Sequence, residues 1–344
     1  MLYYFLLYFL TIIFFAYYFK KKNYFSNYSG DSHQLFSNEK NIPLVGGIFL
    51  VIPILSINYN NIFYILIILS IFMLGLLSDR KVIVSAKQRF LFQIILIFFS
   101  VIFLDLKILS SRIPFFDNLL ELFYFNILFT CFCLLILING SNFIDGLNGL
   151  LLIYITTVLF VLLDTSLLSN TNLKLSLEID GTYILFLVIT LVVIIILNLM
   201  NLLMLGDAGA YVLSFFVGYI IILCHNSNPN ISPYFFITLL WYPCYENLFS
   251  ILRKFKLKRS PIEPDNNHLH QLIFFYLKKK YKTKNIFANN CGSLIILLYN
   301  LIIFGLGIQN ISNTQYQIIL LILNLFIYCA IYFKLFAYKY NLKT

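Results

Sequence analysis

Long apolar segments separated by short polar ones constrain this 344-residue chain more than any other feature of its sequence. A helix needs about 20 mostly apolar residues to cross a bilayer, and inside lipid its backbone must satisfy its own hydrogen bonds. We predict spans at 2–19, 43–58, 61–77, 89–104, 120–138, 149–164, 182–204, 209–225, 233–252, 291–308 and 316–337. The expected fold is an all-α, polytopic membrane helical bundle of about eleven transmembrane helices, forming a single integral membrane domain over residues 1–344.

Composition supports a membrane protein. Hydrophobic residues make up 61% of the chain and charged residues 11%, and the mean hydropathy is +0.88. Soluble globular proteins contain about 45–50% apolar and about 25% charged residues. So little charge cannot cover a water-exposed surface, which excludes a soluble globular protein. The net charge of +10 comes from basic residues beside the spans, and nothing in their distribution indicates nucleic-acid binding.

Basic residues also predict the orientation, because lysine and arginine accumulate in cytoplasmic loops. With the N-terminus outside, 21 of the 24 basic residues fall in inner segments, and the outer ones are Lys107, Arg112 and Lys174. The C-terminus is then inside. Three lysines follow the first span and no basic residue precedes it, which is the wrong polarity for a cleaved signal peptide. We therefore expect the first span to be retained.

Three aspartates lie at or near predicted inner helix ends, in three different loops: Asp79, Asp145 and Asp207. Carboxylates close to hydrocarbon are costly, so each is a candidate functional residue. Carboxylates that converge on one face suit Mg²⁺, a hard cation that prefers oxygen ligands and often bridges substrate phosphates. The alternative is that each aspartate only caps a helix.

The segment 139–149 is the sharpest local pattern. Asn139, Asn142 and Asp145 recur at every third residue and would share one face of a helix. Three glycines in the same segment would let the backbone approach a ligand closely. The pattern also fits a plain helix–turn–helix in which asparagine and aspartate are caps.

A second polar pattern lies in the long inner segment 253–290. His268 and His270 could donate hydrogen bonds to a phosphate or a sugar, and basic residues such as Arg259 would suit a nucleotide diphosphate. A zinc site is disfavoured because no third nitrogen or sulfur ligand is nearby. A solvated basic loop is the alternative.

Together, and in this order, five inner segments resemble the polyprenyl-phosphate N-acetylhexosamine-1-phosphate transferases, glycosyltransferase family 4. The similar segments are Ile42–Ile48 (Pro-x-x-Gly-Gly), Ser78–Asp79 with Lys87 and Gln93 (the double-aspartate loop), Asn139–Leu150 (Asn-x-x-Asn-x-x-Asp-Gly), Gly206–Gly209 (Gly-Asp-x-Gly) and Arg259–Gln271 (Arg-Ser-Pro to His-x-His). The similarity covers about residues 30–275. It favours the nucleotide-sugar branch over the muramoyl-pentapeptide branch, which tends to have three consecutive histidines near His268.

The resemblance implies transfer of a sugar-1-phosphate, such as N-acetylhexosamine-1-phosphate, from a UDP-sugar to polyprenyl (undecaprenyl) phosphate, with release of UMP. This reaction would initiate a lipid-linked cell-surface glycan such as an O-antigen at the inner membrane. The implied cofactor is Mg²⁺, with Mn²⁺ as the alternative, and a homodimer is implied because it is common in the family. The implied active-site loops are about 20–42, 78–89, 139–149, 204–209 and 253–290.

The resemblance also implies individual roles. Asp207 would be the principal Mg²⁺ ligand together with Asp145, and Asp79 would orient or deprotonate the acceptor phosphate. The implied substrate-binding residues are Lys87, Asn139, Asn142, Arg259, His268 and His270.

The chain departs from the family pattern at three positions. Ser78 and Asn148 stand where aspartates are usual, and Asn38 stands where a histidine is common. The change at Ser78 removes one charge from the double-aspartate loop, which raises the alternative of an inactive protein. The persistence of the other three aspartates favours activity.

A secondary transporter or lipid flippase is the alternative class, since such proteins also carry polar residues within many spans. Here the acids lie at inner helix ends, and the sequence has no inverted repeat that we can detect. Both observations favour an enzyme. The sequence leaves the sugar open, because GlcNAc, GalNAc and deoxy derivatives would reach the same loops.

Overall fold

The computed structural model describes residues 2–26, 42–164, 181–258, 260 and 266–341. Within these ranges the chain forms thirteen helices and no β-strand, which confirms the all-α prediction. The helices are α1 Leu2–Lys22, α2 Gly46–Ile57, α3 Ile62–Asp79, α4 Ala86–Phe103, α5 Pro114–Leu120, α6 Phe123–Ile144, α7 Leu150–Asp164, α8 Gly181–Leu199, α9 Gly206–Ser227, α10 Pro233–Lys256, α11 Leu269–Tyr281, α12 Asn285–Ile308 and α13 Thr314–Tyr340.

Seven helices in the described part of the chain are long and apolar enough to cross a membrane, namely α3, α4, α6, α8, α9, α12 and α13. Helices α2 and α7 are shorter apolar helices. Each of the eleven predicted spans overlaps a helix, so the sequence located the apolar segments correctly. The chain has the architecture of a multi-pass membrane protein, while the number of about eleven crossings and the orientation stay predictions.

Helix α9 forms the centre of the bundle. In its most apolar 18-residue window 89% of the residues are buried, whereas the share is 22% in α4 and in α13. Helix α9 packs against α2, α3 and α6, and apolar faces of α4 and α13 point outward. These outward faces suit contact with lipid, because lipid tails are as apolar as the side chains that they meet.

Small residues bring backbones into contact at the first turn of α9. A Cβ atom on Gly47 of α2 would lie 2.4 Å from the backbone nitrogen of Gly209, and one on Gly75 of α3 would lie 2.4 Å from Cα of Ala208. No side chain fits at such separations. This close packing, common between membrane helices, fixes the end of α9 that carries Asp207.

Two segments predicted as loops are partly helical. Residues 139–144 form the last turns of α6, and most of 253–290 belongs to α10, α11 and α12. Helix α11 begins with a reciprocal cap in which the backbone N–H of His268 donates to Oε1 of Gln271 (3.1 Å). This cap places both histidines of the His-x-His pattern at the start of α11, beside the end of α6.

Candidate active site

The turn before α9 is held by the segment that leads into α2. The N–H of Met204 donates to the carbonyl of Pro43 (2.9 Å), and the N–H of Gly46 donates to the carbonyl of Met204 (3.0 Å), which makes an isolated parallel bridge. Gly206 then starts α9 with φ +76°, a conformation that favours glycine. A Cβ atom there would also lie 2.7 Å from Oδ2 of Asp79, so the turn requires glycine.

Asp79, the last residue of α3, binds the N-terminus of α9. Its Oδ1 accepts the N–H of Asp207 (2.8 Å), and its Oδ2 accepts the N–H of Ala208 (3.1 Å). Amide groups at a helix N-terminus lack partners within the helix, and a carboxylate there is favoured by the helix dipole. Asp79 therefore positions Asp207; its predicted role toward an acceptor phosphate stays a prediction.

Asp207 lies in a cluster of hydrogen-bond donors, with 15% of its side chain exposed. Its Oδ2 accepts from Ser78 Oγ (2.5 Å), from Arg89 Nη1 (3.1 Å) and from Tyr211 OH (3.3 Å). Arg89 also donates to Ser78 Oγ (2.8 Å). Ser78 thus supplies a neutral donor where an aspartate is usual in the family, and Arg89 supplies a positive charge.

The family resemblance implies Lys87 as a substrate-binding residue, but the structure brings Arg89 to the cluster and leaves Lys87 exposed. Both residues lie in the first turn of α4. Since successive residues turn by about 100° around a helix, side chains two positions apart point to nearly opposite sides. The resemblance therefore pointed to the correct turn of α4, but the basic residue that contacts Asp207 is Arg89 and not Lys87.

Asp145, which follows α6, and Asp207, in the first turn of α9, line one open cleft. Its described lining is Leu44, Asn142, Asp145, Gly146, Leu147, Asn148, Asn198, Met204, Leu205, Gly206 and Asp207. Burial raises the pKa of Asp145, and the negative charges of Asp207 and Asp79 raise it further. A cation bound in the cleft would offset this repulsion.

The donor set fits a divalent ion that also binds phosphate. Among the residues that the structure describes, no group of three His, Cys, Asp or Glu side chains could hold a metal ion. Mg²⁺, however, usually takes only one or two protein carboxylates, and water and substrate phosphates complete its shell. Asp145, Asp207 and the amide oxygen of Asn142 are hard donors of this kind on the wall of one cleft.

Asn148 anchors the loop that follows Asp145. Its backbone N–H donates to Oδ1 of Asn289 (2.6 Å), and its Nδ2 donates to Oδ1 of Asn201 (2.8 Å). The next N–H, of Gly149, donates to Oδ1 of Asn198 (2.6 Å). This buried amide network ties the loop to the end of α8, the turn that follows it and the start of α12, and it gives the residue at 148 a structural role.

His268 and His270 are buried beside the Asp145 loop. The ring centroids of His268 and Phe143 lie 5.0 Å apart, and a Cβ atom on Gly146 would lie 2.9 Å from Nε2 of His270. Burial lowers the pKa of His270 to about 3, so its ring is neutral at physiological pH. Among the described residues that line the cleft, neither histidine is present.

The remaining predicted site residues divide into three groups. Asn142 lines the cleft, as its spacing from Asp145 predicted. Asn139 lies one turn earlier in α6, where its Nδ2 donates to the carbonyl of Leu135 (2.9 Å), and it is not among the described residues that line the cleft. Arg259 lies outside the described residues.

Fold and site together define a helical membrane protein with two carboxylates in a cleft at one end of its bundle. Residues 61–225 match the model of glycosyl transferase family 4, a range that contains Asp79, Asp145 and Asp207. This segment is similar to the family that the motifs resemble.

Two relatives carry the same name, undecaprenyl-phosphate alpha-N-acetylglucosaminyl 1-phosphate transferase. The protein from Thermotoga maritima is 25% identical over 297 residues, which are 86% of this chain and 86% of that protein. The protein from Yersinia pestis is 28% identical over 158 residues, which are 43% of this chain and 41% of that protein. The similarity to the first relative extends well beyond the segment that the family model matches.

Proposed function

We propose that this protein transfers N-acetylhexosamine-1-phosphate from a UDP-sugar to polyprenyl phosphate, such as undecaprenyl phosphate, and releases UMP. The observation that carries the proposal is the common cleft of Asp145 and Asp207, at the ends of helices that suit a membrane. The names of the two relatives support the same reaction. A phosphate oxygen of the lipid would form a new bond to the sugar-bearing phosphorus while the bond to UMP breaks.

The residues of the cleft, and those that contact the first turn of α9, would have separate tasks. Asp207 and Asp145 would hold Mg²⁺, or Mn²⁺ as the alternative, which when bound neutralises charge on the diphosphate. Arg89 would add positive charge where the two polyanions meet, and Asn142 would offer an amide to the donor substrate. Asp79 would keep the first turn of α9 in place, because phosphoryl transfer depends mainly on positioning and electrostatics.

A cleft at the ends of membrane helices would let a water-soluble nucleotide meet a lipid phosphate. This fits the predicted location at the cytoplasmic face of the inner membrane, where the product would begin a lipid-linked glycan. The predicted homodimer and the particular hexosamine are open parts of the proposal.

The test is product formation in membranes that contain the expressed protein, supplied with undecaprenyl phosphate, Mg²⁺ and a panel of radiolabelled UDP-sugars. Asp207→Asn should abolish both lipid-linked product and UMP release, because it removes a charged oxygen donor from the cleft. Asp105→Asn is the matched control, since this carboxylate is 78% exposed after the far end of α4. Activity should also disappear with a chelator and return when Mg²⁺ or Mn²⁺ is added.

Retained product formation by Asp207→Asn would contradict the metal role. Transport or flipping of lipid without UMP release would favour the alternative class of transporter or flippase. The panel also includes UDP-muramoyl-pentapeptide, and lipid product formed from this donor would favour the muramoyl-pentapeptide branch of the family. Mass analysis of the lipid product identifies the sugar.

A further inference from the structure

A carboxylate that the sequence patterns did not single out lies in the middle of α10. Glu246 is 0% exposed, and three donors surround it. Its Oε2 lies 2.9 Å from Nδ1 of His268, and its Oε1 accepts from the N–H of Leu269 (2.8 Å) and from Tyr328 OH (2.6 Å). A buried carboxylate is costly unless it is paired and hydrogen-bonded, and here both oxygens have partners.

Two of these partners, the N-cap His268 and Leu269, lie at the start of α11, so Glu246 joins α10 and α13 to the His-x-His pattern. The ring centroids of His268 and His270 lie 5.6 Å apart, and the two ring planes are nearly parallel, with an angle of 8° between them. The ring of His268 in turn contacts Phe143, and Nε2 of His270 faces Gly146. The contacts therefore run from Glu246 through the two imidazoles to residues on both sides of Asp145.

The hydrogen-bond chemistry of Glu246 also determines which nitrogen of His268 carries a proton. A carboxylate only accepts hydrogen bonds, so Nδ1 of His268 must be the donor, and in the neutral ring Nε2 is then the acceptor. Glutamine at 246 has one accepting oxygen and one NH₂ group. If that oxygen accepts hydrogen bonds from Leu269 and Tyr328, the NH₂ group faces Nδ1 of His268. Nδ1 must then accept a hydrogen bond, which requires the other tautomer of His268.

We propose that Glu246 is a positioning residue, which acts through His268 to fix the tautomer and place of the His-x-His turn against the Asp145 loop. This inference rests on the proposed transferase function. Residues that orient a metal-binding histidine through its second ring nitrogen typically change activity by about 10–100-fold when they are replaced, and we expect the same range for Glu246. The loss should appear mainly in kcat, because a small displacement of groups that position the reacting atoms slows the chemical step.

The test is a double-mutant cycle in purified protein. Glu246→Gln should lower kcat by about 10–100-fold with a smaller change in KM. In the background of His268→Ala the same replacement should lower kcat by less than about 2-fold, because residues that act through one another are not additive. Tyr328→Phe is the matched control: it removes another donor from the same carboxylate, leaves the His268 contact, and should keep kcat within about 2-fold of the wild type.

Unfolding midpoints in detergent are measured for every variant, so a loss of folding is separated from a loss of turnover. If Glu246→Gln does not accumulate in membranes, Glu246→Asp, which keeps the charge on a shorter side chain, replaces it in the cycle. Wild-type turnover in the single variant, or full additivity with His268→Ala, would overturn the inference. A wild-type protein that releases no UMP from any UDP-sugar would instead overturn the proposed function.

Discussion

Gly206 offers the sharpest test of how the candidate site is assembled. Its φ of +76° costs an L-residue about 1–2 kcal/mol, and a Cβ atom there would lie 2.7 Å from Oδ2 of Asp79. Gly206→Ala must therefore displace the Asp79 carboxylate. Losing one hydrogen bond to a charged group costs about 1.5–3 kcal/mol, so the total destabilisation should be roughly 2.5–5 kcal/mol.

The same displacement should reduce turnover. Asp79 holds the N–H groups of Asp207 and Ala208, so its movement releases the first turn of α9. A shift of about 1 Å in a positioning group can lower a rate about 100-fold. The assays are the unfolding midpoint in detergent and UMP release at saturating substrates, and both values should fall.

Gly305→Ala is the matched control, because it makes the same chemical change in α12 where a Cβ atom would meet no heavy atom within 4 Å. Alanine is favoured over glycine inside a helix by about 1 kcal/mol, so this variant should be as stable as the wild type or more so. Wild-type stability and turnover in Gly206→Ala would refute the requirement for glycine and the role given to the Asp79 carboxylate.

Two further predictions concern contacts of the same site. Ser78→Asp should lower UMP release by about 10–100-fold, because an acceptor-only carboxylate would replace the hydroxyl that donates to Asp207. Ser78→Ala adds no charge and should lose less activity, whereas a gain of activity in Ser78→Asp would contradict this reasoning. Gly146→Ala should lower kcat by about 10-fold, because its Cβ atom would lie 2.9 Å from Nε2 of His270. Kinetics equal to those of the Gly305→Ala control would show that the His270 ring can move without loss of activity.

The sequence predicted the helices well because hydropathy is a local property. Each predicted span overlaps a helix, while α5 and α11 were missed. Helix α11 lies in the polar segment 253–290, and His268 is not among the residues that usually cap a helix. Whether a polar segment such as 253–290 is helical depends on its packing against other helices, and local composition carries no information about that packing.

The site was predicted in part, and the misses have physical reasons. Asp145 and Asp207 share a cleft, as their placement at helix ends suggested. Arg89 was passed over for Lys87 because the side of α4 that faces Asp207 depends on its rotation in the bundle. Glu246, by contrast, left a readable signal, since a lone glutamate inside an apolar segment is itself a functional candidate.

The parallel bridge between Leu44 and Met204 has a consequence for any attempt to isolate a minimal unit. The family model matches residues 61–225, yet the turn before Asp207 depends on backbone groups of Pro43 and Gly46, which precede that range. A fragment cut at the borders of the shared segment would lose half of this backbone pairing. Such a fragment would keep Asp79 but leave the turn before Asp207 without its backbone partners, so deletion studies must keep the chain on both sides of the matched segment.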